Sequence, residues 1–351
     1  MMSNATAAVN RPDEPIFGVV DVGGTKILVG VATRDSLLSV RRMTTDAAGG
    51  ADDVVKRIAA ALRQVQSDLG FADRRLAGVG LSTPGPLDIA RGIVHFTGNL
   101  HWVNYPVADR LSAELGGVRV LIDDDANCAG AGEAAFGAGK GVRDLIYLTL
   151  STGIGGAILI DGHIYRGHQD IAGEVGHMTV VPDGPACTCG NYGCLEAVAS
   201  GTAIGLRGSQ LLLQERSPAL AALVQEYPQA AMAELVFRAA RQHDPACTEV
   251  IQQVAKYLGI GLANLVQVLN PQMIVLGGGV MHNAELLIPL TVAEMNQHLF
   301  KILRGAVAVV PAKLGDESGL WGALQLITSA AAPTPRSVAA VVATGDCPQH
   351  A

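Results

Sequence analysis

The sequence is poor in aromatic residues, at 4%, and poor in charge, at 16% Asp, Glu, Lys and Arg. Low charge beside 49% hydrophobic residues excludes a disordered chain, which needs the opposite balance. Lys and Arg number 25 against 32 acidic residues, a formal charge of −7, and no basic run occurs. Nucleic acid and anionic membrane surfaces are therefore not expected as partners. No run of about 18 uncharged apolar residues appears, so no membrane-spanning helix is expected. The segment 1–15 is polar, contains Asp13 and Glu14, and lacks the basic and apolar regions of a secretion signal, which points to the cytoplasm. No Gly-x-x-x-x-Gly-Lys-Ser/Thr segment is present, which excludes a P-loop. No Gly-x-Gly-x-x-Gly follows the first strand, which weakens a dinucleotide site. Of the six cysteines, Cys128, Cys247 and Cys347 are scattered and three cluster, a metal-site arrangement rather than a disulfide framework.

Glycine is abundant, at 42 of 351 residues, without the three-residue period of collagen. The length suits one large or two ordinary domains. Loose tails are expected at 1–15 and 331–351. An apolar run from Ile16 to Val20 leads into Asp21-Val22-Gly23-Gly24-Thr25, and Ile27 to Ala32 reads as the returning strand of a hairpin. Leu37–Met43 suits a third strand, and Val55, Ile58, Leu62, Val65 and Leu69 mark an amphipathic helix. Leu76–Leu81 reads as a strand, Val107, Leu111 and Leu115 as a helix ending at Gly116-Gly117, and Val118–Ile122 as another strand. The opening design then returns: strand Leu145–Leu150, turn Ser151-Thr152-Gly153-Ile154-Gly155-Gly156, strand Ala157–Ile160. Two such units, one opening each half, suggest a duplicated architecture with a cleft between the halves. The stretch from Gly205 to Asp244 is helical in composition and shows no clear site residues. An apolar stripe from Ile251 to Leu269 stops at Asn270-Pro271 and suits a helix packed under a sheet. Met273–Leu276 reads as a strand that turns through Gly277-Gly278-Gly279 into a helix, and a last helix is expected from about Ser318 through Leu326.

Three glycine turns thus end apolar strands, at 23–24, 153–156 and 277–279. Glycine lets backbone N–H groups approach an anion without a side chain in the way. One such turn alone reads as an ordinary tight turn. Three together, with Thr25, Ser151 and Thr152 as hydroxyl donors, suit a polyphosphate held between two hairpins. The sharpest signal is His177 followed by Cys187, Cys189 and Cys194, with Gly184, Gly190 and Gly193 between them. Three thiolates and an imidazole make a closed tetrahedral zinc site, structural because no coordination position is left open. Glu174 and Glu196 flank this loop, and rigid carboxylates beside a cleft can accept hydrogen bonds from sugar hydroxyls. Asp123-Asp124-Asp125-Ala126-Asn127 follows a strand end. Such acids either bind Mg²⁺, supply a general base, or form a solvated turn that caps the next helix. Asn99, in Gly98-Asn99-Leu100, reads as a turn or as a loop amide for a ligand.

Together, Asp21-Val-Gly-Gly-Thr-Lys26, Ser151-Thr-Gly-Ile-Gly-Gly156, Asp125-Ala-Asn127, and Glu174-Val-Gly-His177 through Cys194-Leu-Glu196 resemble the ROK family of repressors, uncharacterised reading frames and sugar kinases. The resemblance spans roughly residues 16–328 and is strongest to the bacterial ATP-dependent glucokinase branch. It implies an α/β fold of the actin-like, hexokinase-like (ribonuclease H-like) kind, two domains around a cleft that holds ATP and sugar. The domains would be 16–125, with the last helix at about 318–330 packing back on it, and 126–317, with the zinc loop at 177–194. It implies ATP-dependent phosphorylation of D-glucose at the 6-hydroxyl with Asp125 as base. Asn99, Asp124, Asp125, Glu174, His177 and Glu196 match sugar-contacting positions, and His177 would also bind zinc. Asp21, Gly23, Gly24, Thr25, Lys26, Thr152 and Gly153 match the phosphate and Mg²⁺ region, and Gly277 and Gly278 the adenosine side. A homodimer or homotetramer is implied. Asp124 stands where the family commonly has Asn, and a carboxylate accepts hydrogen bonds but cannot donate as an amide does. An N-acetylmannosamine or other amino-sugar kinase shares the same zinc loop. A sugar-sensing repressor would carry a winged-helix domain of some tens of residues, where only about fifteen precede the first strand here.

Overall fold

The computed structural model describes residues 14–329; apart from Glu14 and Pro15, the tails expected at 1–15 and 331–351 lie outside the described residues, as does Cys347. The first half runs β1 (Phe17–Val22), β2 (Lys26–Ala32), β3 (Leu37–Thr44), α1 (Ala51–Asp68) and β4 (Val79–Thr83). Then come β5 (Leu87–Asp88), β6 (Ile93–Phe96), β7 (Val103–Tyr105), α2 (Val107–Glu114) and β8 (Val120–Asp124). Helix α3 (Asp125–Phe136) leads into β9 (Leu145–Leu150), β10 (Ile154–Ile160) and β11 (His163–Ile164). A helical block follows: α4 (Leu195–Ala199), α5 (Gly201–Leu213), α6 (Pro218–Glu226), α7 (Met232–Arg241) and α8 (Pro245–Leu269). The chain ends with β12 (Met273–Gly277), α9 (Ala284–His298), β13 (Ala308–Pro311) and α10 (Ser318–Ser329).

The two halves form sheets of the same design. One has the order β3-β2-β1-β4-β8 and the other β11-β10-β9-β12-β13. In each, the first three strands are antiparallel and the last two join in parallel. Strand β1 is buried on both sides, and its side chains alternate. Phe17 and Val19 face α10 through Leu320, Ala323, Leu324 and Ile327, whereas Val20 and Val22 join the core beneath α1 and α2. The second sheet is treated likewise. Tyr147, Ala157 and Leu159 pack with Ala129 of α3, while Ile146, Leu148, Ile274 and Leu276 pack with the stripe of α8. Helices α3 and α10 therefore lie on the sheet faces opposite the other helices. The α8 stripe begins under an Asp244 cap, which accepts from Cys247 N at 2.8 Å, and ends at Asn270 with φ 46°. This is the boundary expected from Asn270-Pro271.

Three differences from the sequence reading have physical causes. Strands β4 and β8 extend further toward their carboxyl ends than the apolar runs do, because polar residues there still pair: Ser82 with Asp123, and Thr83 with Asp124. The small sheet β5-β6-β7 was not anticipated, since strands of two to four residues carry no measurable alternation. The turn 277–279 opens not directly into an α-helix but into a 3-10 segment, Gly279–Asn283. Among the described residues, no helix is long and apolar enough to cross a membrane.

Candidate active site

The carboxyl ends of the parallel strands deliver the acidic residues. Strand β8 stops where Asp124 becomes the N-cap of α3, its Oδ1 accepting from Ala126 N at 3.0 Å and Asn127 N at 3.4 Å. An Asn would cap through its carbonyl oxygen equally well, so the Asp at 124 keeps the cap and adds charge. That charge is disfavoured: burial and then Asp125 push the Asp124 carboxyl well above the ordinary range. Asp125, in the first turn of α3, is solvent-accessible on a cleft floor. Surrounding protein mass and Glu174 still raise its carboxyl, against an opposing hydrogen bond from the Ala126 backbone. A raised carboxylate is a stronger base.

Asp123 points the other way and is buried. It accepts from Asn127 Nδ2 at 3.1 Å and forms an ion pair with Arg166. Arg166 stands at the base of the loop that leads to Glu174, and Ala172 N donates to its carbonyl at 2.9 Å. The pair thus tethers that loop to the end of β8. Neither Asp123 nor Arg166 was singled out as an anchor in the sequence, because an ion pair 43 residues apart leaves no local spacing.

The β1–β2 turn is held by Gly23 N donating to Lys26 O at 2.9 Å and Thr45 Oγ1 to Gly23 O at 2.6 Å. Gly24 has Asn99 directly against it: a β-carbon there would come within 2.6 Å of the Asn99 Nδ2. The structure thereby brings Asn99, Gly23, Gly24 and Thr25 together. Asp21 sits just below, accepting from Ser82 Oγ at 2.6 Å. Burial pushes its carboxyl up to about 6, with the Ser82 bond opposing and Asp125 adding to the rise. Lys26 is engaged elsewhere, donating to Asp316 at 2.6 Å.

The β9–β10 turn is the counterpart in the second half. Ser151 N donates to Gly153 O at 2.9 Å, and Thr152 O accepts from Thr202 Oγ1 at 2.8 Å. Glu196, at the start of α4, accepts from Ile154 N at 2.9 Å. Its carboxylate therefore buttresses this turn as well as flanking the cysteine loop. Gly278, with φ 86°, passes so close to β9 that a side chain would collide with the Leu150 carbonyl, and Gly277 lies against the Tyr147 hydroxyl.

Two cavities adjoin the β9–β10 hairpin. The smaller, about 130 Å³, is lined by Asp124, Asp125, Asn127, Gly155, Gly156 and Glu174 from one side and Gly85 to Leu87 from the other. The larger, about 740 Å³, is lined by Ser151, Thr152, Gly279, Val280 and Asn283, and by Met232, Glu234, Phe237, Arg238 and Arg241 of α7. Its size is that of a small-molecule site. Residues of the 205–244 stretch, which showed no clear site residues in the sequence, line this cavity. Their signal was present as polar side chains at 234, 238 and 241, one face of an amphipathic helix.

The cysteine loop brings four donors together. His177, Cys187, Cys189 and Cys194 have ligand atoms all within 4.8 Å of one another. Cys189 Sγ lies 3.7 Å from Cys194 Sγ, and Cys187 Sγ 3.6 Å from His177 Nδ1. The edge of a tetrahedron with metal–sulfur bonds of about 2.3 Å is about 3.8 Å, so the donor set fits an ion of zinc's size. Burial and the neighbouring thiols push Cys194 up to about 12, and a bound cation would favour its ionised form. The other ring nitrogen of His177, Nε2, faces Glu174 Oε2 at 3.9 Å. The loop thereby links directly to the small cavity.

Two repeated sheets with ligand-sized cavities at their strand ends define an actin-like, hexokinase-like fold of two α/β domains. The ROK family model matches residues 17–330, and the chain belongs to that family. It is 34% identical over 314 residues to a glucokinase from Thermotoga maritima, covering 88% of this chain and 96% of that one. It is similar to the solved ROK family glucokinase from Streptomyces griseus in complex with glucose and AMPPNP: 34% identity, TM-score 0.75, covering 89% of this chain and 98% of that one. The ROK hexokinase from Thermus thermophilus is similar at 33% identity and TM-score 0.73, covering 90% and 99%.

Proposed function

We propose that this chain is an ATP-dependent sugar kinase that phosphorylates D-glucose at its 6-hydroxyl. The observation that carries this is the pairing of cavities: a small acidic one ending at Asp125 and a larger one, both bordering the β9–β10 hairpin. That arrangement suits an alcohol and a nucleoside triphosphate placed end to end. The relatives named glucokinase, and the neighbour that binds glucose with an ATP analogue, favour glucose and ATP as the occupants.

In this reading Asp125 accepts the hydroxyl proton as the sugar oxygen attacks the γ-phosphorus. Asn99, Asp124, Glu174, His177 and Glu196 orient the sugar. For Glu196 the Ile154 contact means that sugar orientation and the position of the phosphate turn are set together. Gly23, Gly24, Thr25, Thr152 and Gly153 receive the phosphates between the two hairpins, and Gly277 and Gly278 border the adenosine. Asp21, whose carboxyl lies within electrostatic reach of Asp125, would hold Mg²⁺ in this reading. Mg²⁺ would neutralise the phosphate oxygens when bound. Lys26, paired with Asp316 at 2.6 Å, adds a positive charge near Asp21. Zinc at His177, Cys187, Cys189 and Cys194 would fix the loop between Glu174 and Glu196 and carry no chemistry of its own.

The test is a coupled assay with ATP–Mg²⁺ and glucose, mannose, N-acetylmannosamine or N-acetylglucosamine. Glucose is expected to give the highest kcat/KM. A preference for an N-acetyl sugar would reassign the substrate, and no transfer to any of them would reject the kinase reading.

A further inference from the structure

Glu133 takes part in none of the steps above, yet it is a completely buried carboxylate. It lies on α3, eight residues beyond Asp125, roughly 12 Å along the helix axis. Its partners are three backbone amides. Ala138 N donates at 2.7 Å, Lys313 N at 3.0 Å and Leu314 N at 2.7 Å. One side chain therefore joins the end of α3 to the turn that starts α10. Burying a carboxylate is costly unless such donors surround it, so this arrangement demands more than an ordinary helix stop.

The place it joins is a close approach of the two helices. A β-carbon on Gly132 would come within 2.5 Å of the Ser318 carbonyl oxygen, and one on Gly322 would overlap the Cys128 carbonyl. The helices touch backbone to backbone there, and the rings of Phe136 and Trp321 meet across the same crossing with centroids 4.7 Å apart. Both helices end in the reaction centre. Asp125 opens α3, and Gly319, in the first turn of α10, packs on Asp21, where a β-carbon would be 2.5 Å from the Asp21 Cγ. The turn 313–318 is also tied to the first sheet, through Asp316 with Lys26 at 2.6 Å and Arg42 at 3.0 Å.

We propose that Glu133 is a positioning residue: its grip on the 313–318 turn fixes how α3 crosses α10, and so fixes the placement of Asp21 relative to Asp125. Its effect on turnover rests on the phosphoryl-transfer reading; its effect on the helix crossing does not.

Glu133→Gln keeps the volume but points a donor at amides that need an acceptor. Gly137→Ala keeps the charge but displaces the carboxylate, which a β-carbon at 137 would overlap. Hydrogen–deuterium exchange over 136–140 and 312–316 is expected to speed up at least about tenfold in Glu133→Gln, and less in Gly137→Ala. Per folded molecule, kcat is expected to fall at least about tenfold while the sugar KM stays within about threefold, because misplacing reacting groups by a fraction of an ångström costs rate more than binding. A role in stability alone would lower Tm and leave kcat unchanged. Faster exchange with kcat near wild type would overturn the proposal, as would unchanged exchange in both variants. If Glu133→Gln does not fold, Gly137→Ala decides by the same readouts. A wild-type protein that phosphorylates no sugar would instead reject the kinase reading, and the exchange data would still decide whether Glu133 sets the crossing.

Discussion

The two halves of the molecule share a sheet order but not a chemistry. In the first, β1 ends in Asp21 and Val22, and β8 in Asp123 and Asp124, followed by Asp125. In the second, the corresponding β9 ends in Thr149 and Leu150, and β13 in Val310 and Pro311. The first half thus supplies carboxylates, three of them raised by burial and by neighbouring carboxylates. The second supplies hydroxyls, glycines and a roomy cavity. A duplicated scaffold needs only its apolar pattern to be kept, and the strand ends are free to diverge. In the proposed function the first half brings the base and the cation site, and the second brings the larger cavity.

The largest expected effect tests whether the acids of the first half do the chemistry. Asp125→Asn should lower kcat by about 10²–10⁴-fold with sugar affinity, read by calorimetry, within a few-fold. Near-normal turnover would move the base elsewhere. Next, the second half's cysteine loop should depend on metal. Cys194→Ser should abolish binding of about one zinc per chain, read by elemental analysis, and lower Tm by on the order of 5 °C. A metal-free wild type of full stability and activity would contradict this. Third comes the tie between the halves. Arg166→Met leaves Asp123 buried without its cation, a loss of about 3 kcal/mol, and should raise the sugar KM through the freed 167–174 loop. An unchanged KM would make that pair purely structural.

The smallest effect has the opposite sign. Asp21 is pushed from 3.8 up to about 6, so its ionisation opposes folding. That cost is complete above about pH 6 and absent below 3.8. Asp21→Asn should therefore stabilise the ligand-free protein at pH 8, by on the order of 1 kcal/mol, and lose the gain by pH 4. Thermal melts at both pH values decide it, and destabilisation at pH 8 would show that Asp21 is held by an unrecognised cation.

Much of this contrast was legible in the sequence. Asp21-Val-Gly-Gly-Thr25 and Ser151-Thr-Gly-Ile-Gly-Gly156 announce the paired hairpins because strand, glycine and hydroxyl are adjacent in the chain. His177 and the three cysteines are legible for the same reason, since ligands within eighteen residues leave their spacing on the page. What stayed hidden acts across long separations. Arg166 meets Asp123, Glu133 meets Leu314, and α7 lines the large cavity only once α5 and the 279–283 segment lie beside it. Gly132 and Gly137 stand in no recognisable turn or motif of the sequence. Their reasons, the Ser318 carbonyl and the Glu133 carboxylate, exist only in three dimensions.

The central claim is that Asp125 presents a sugar hydroxyl to a triphosphate received between the two hairpins. Phosphorus NMR of the product from glucose and ATP–Mg²⁺ tests it most directly. The account predicts a single phosphate ester on the 6-oxygen, formed by wild type and not by Asp125→Asn. An ester at another position, or ATP consumed with no sugar phosphate formed, would contradict it.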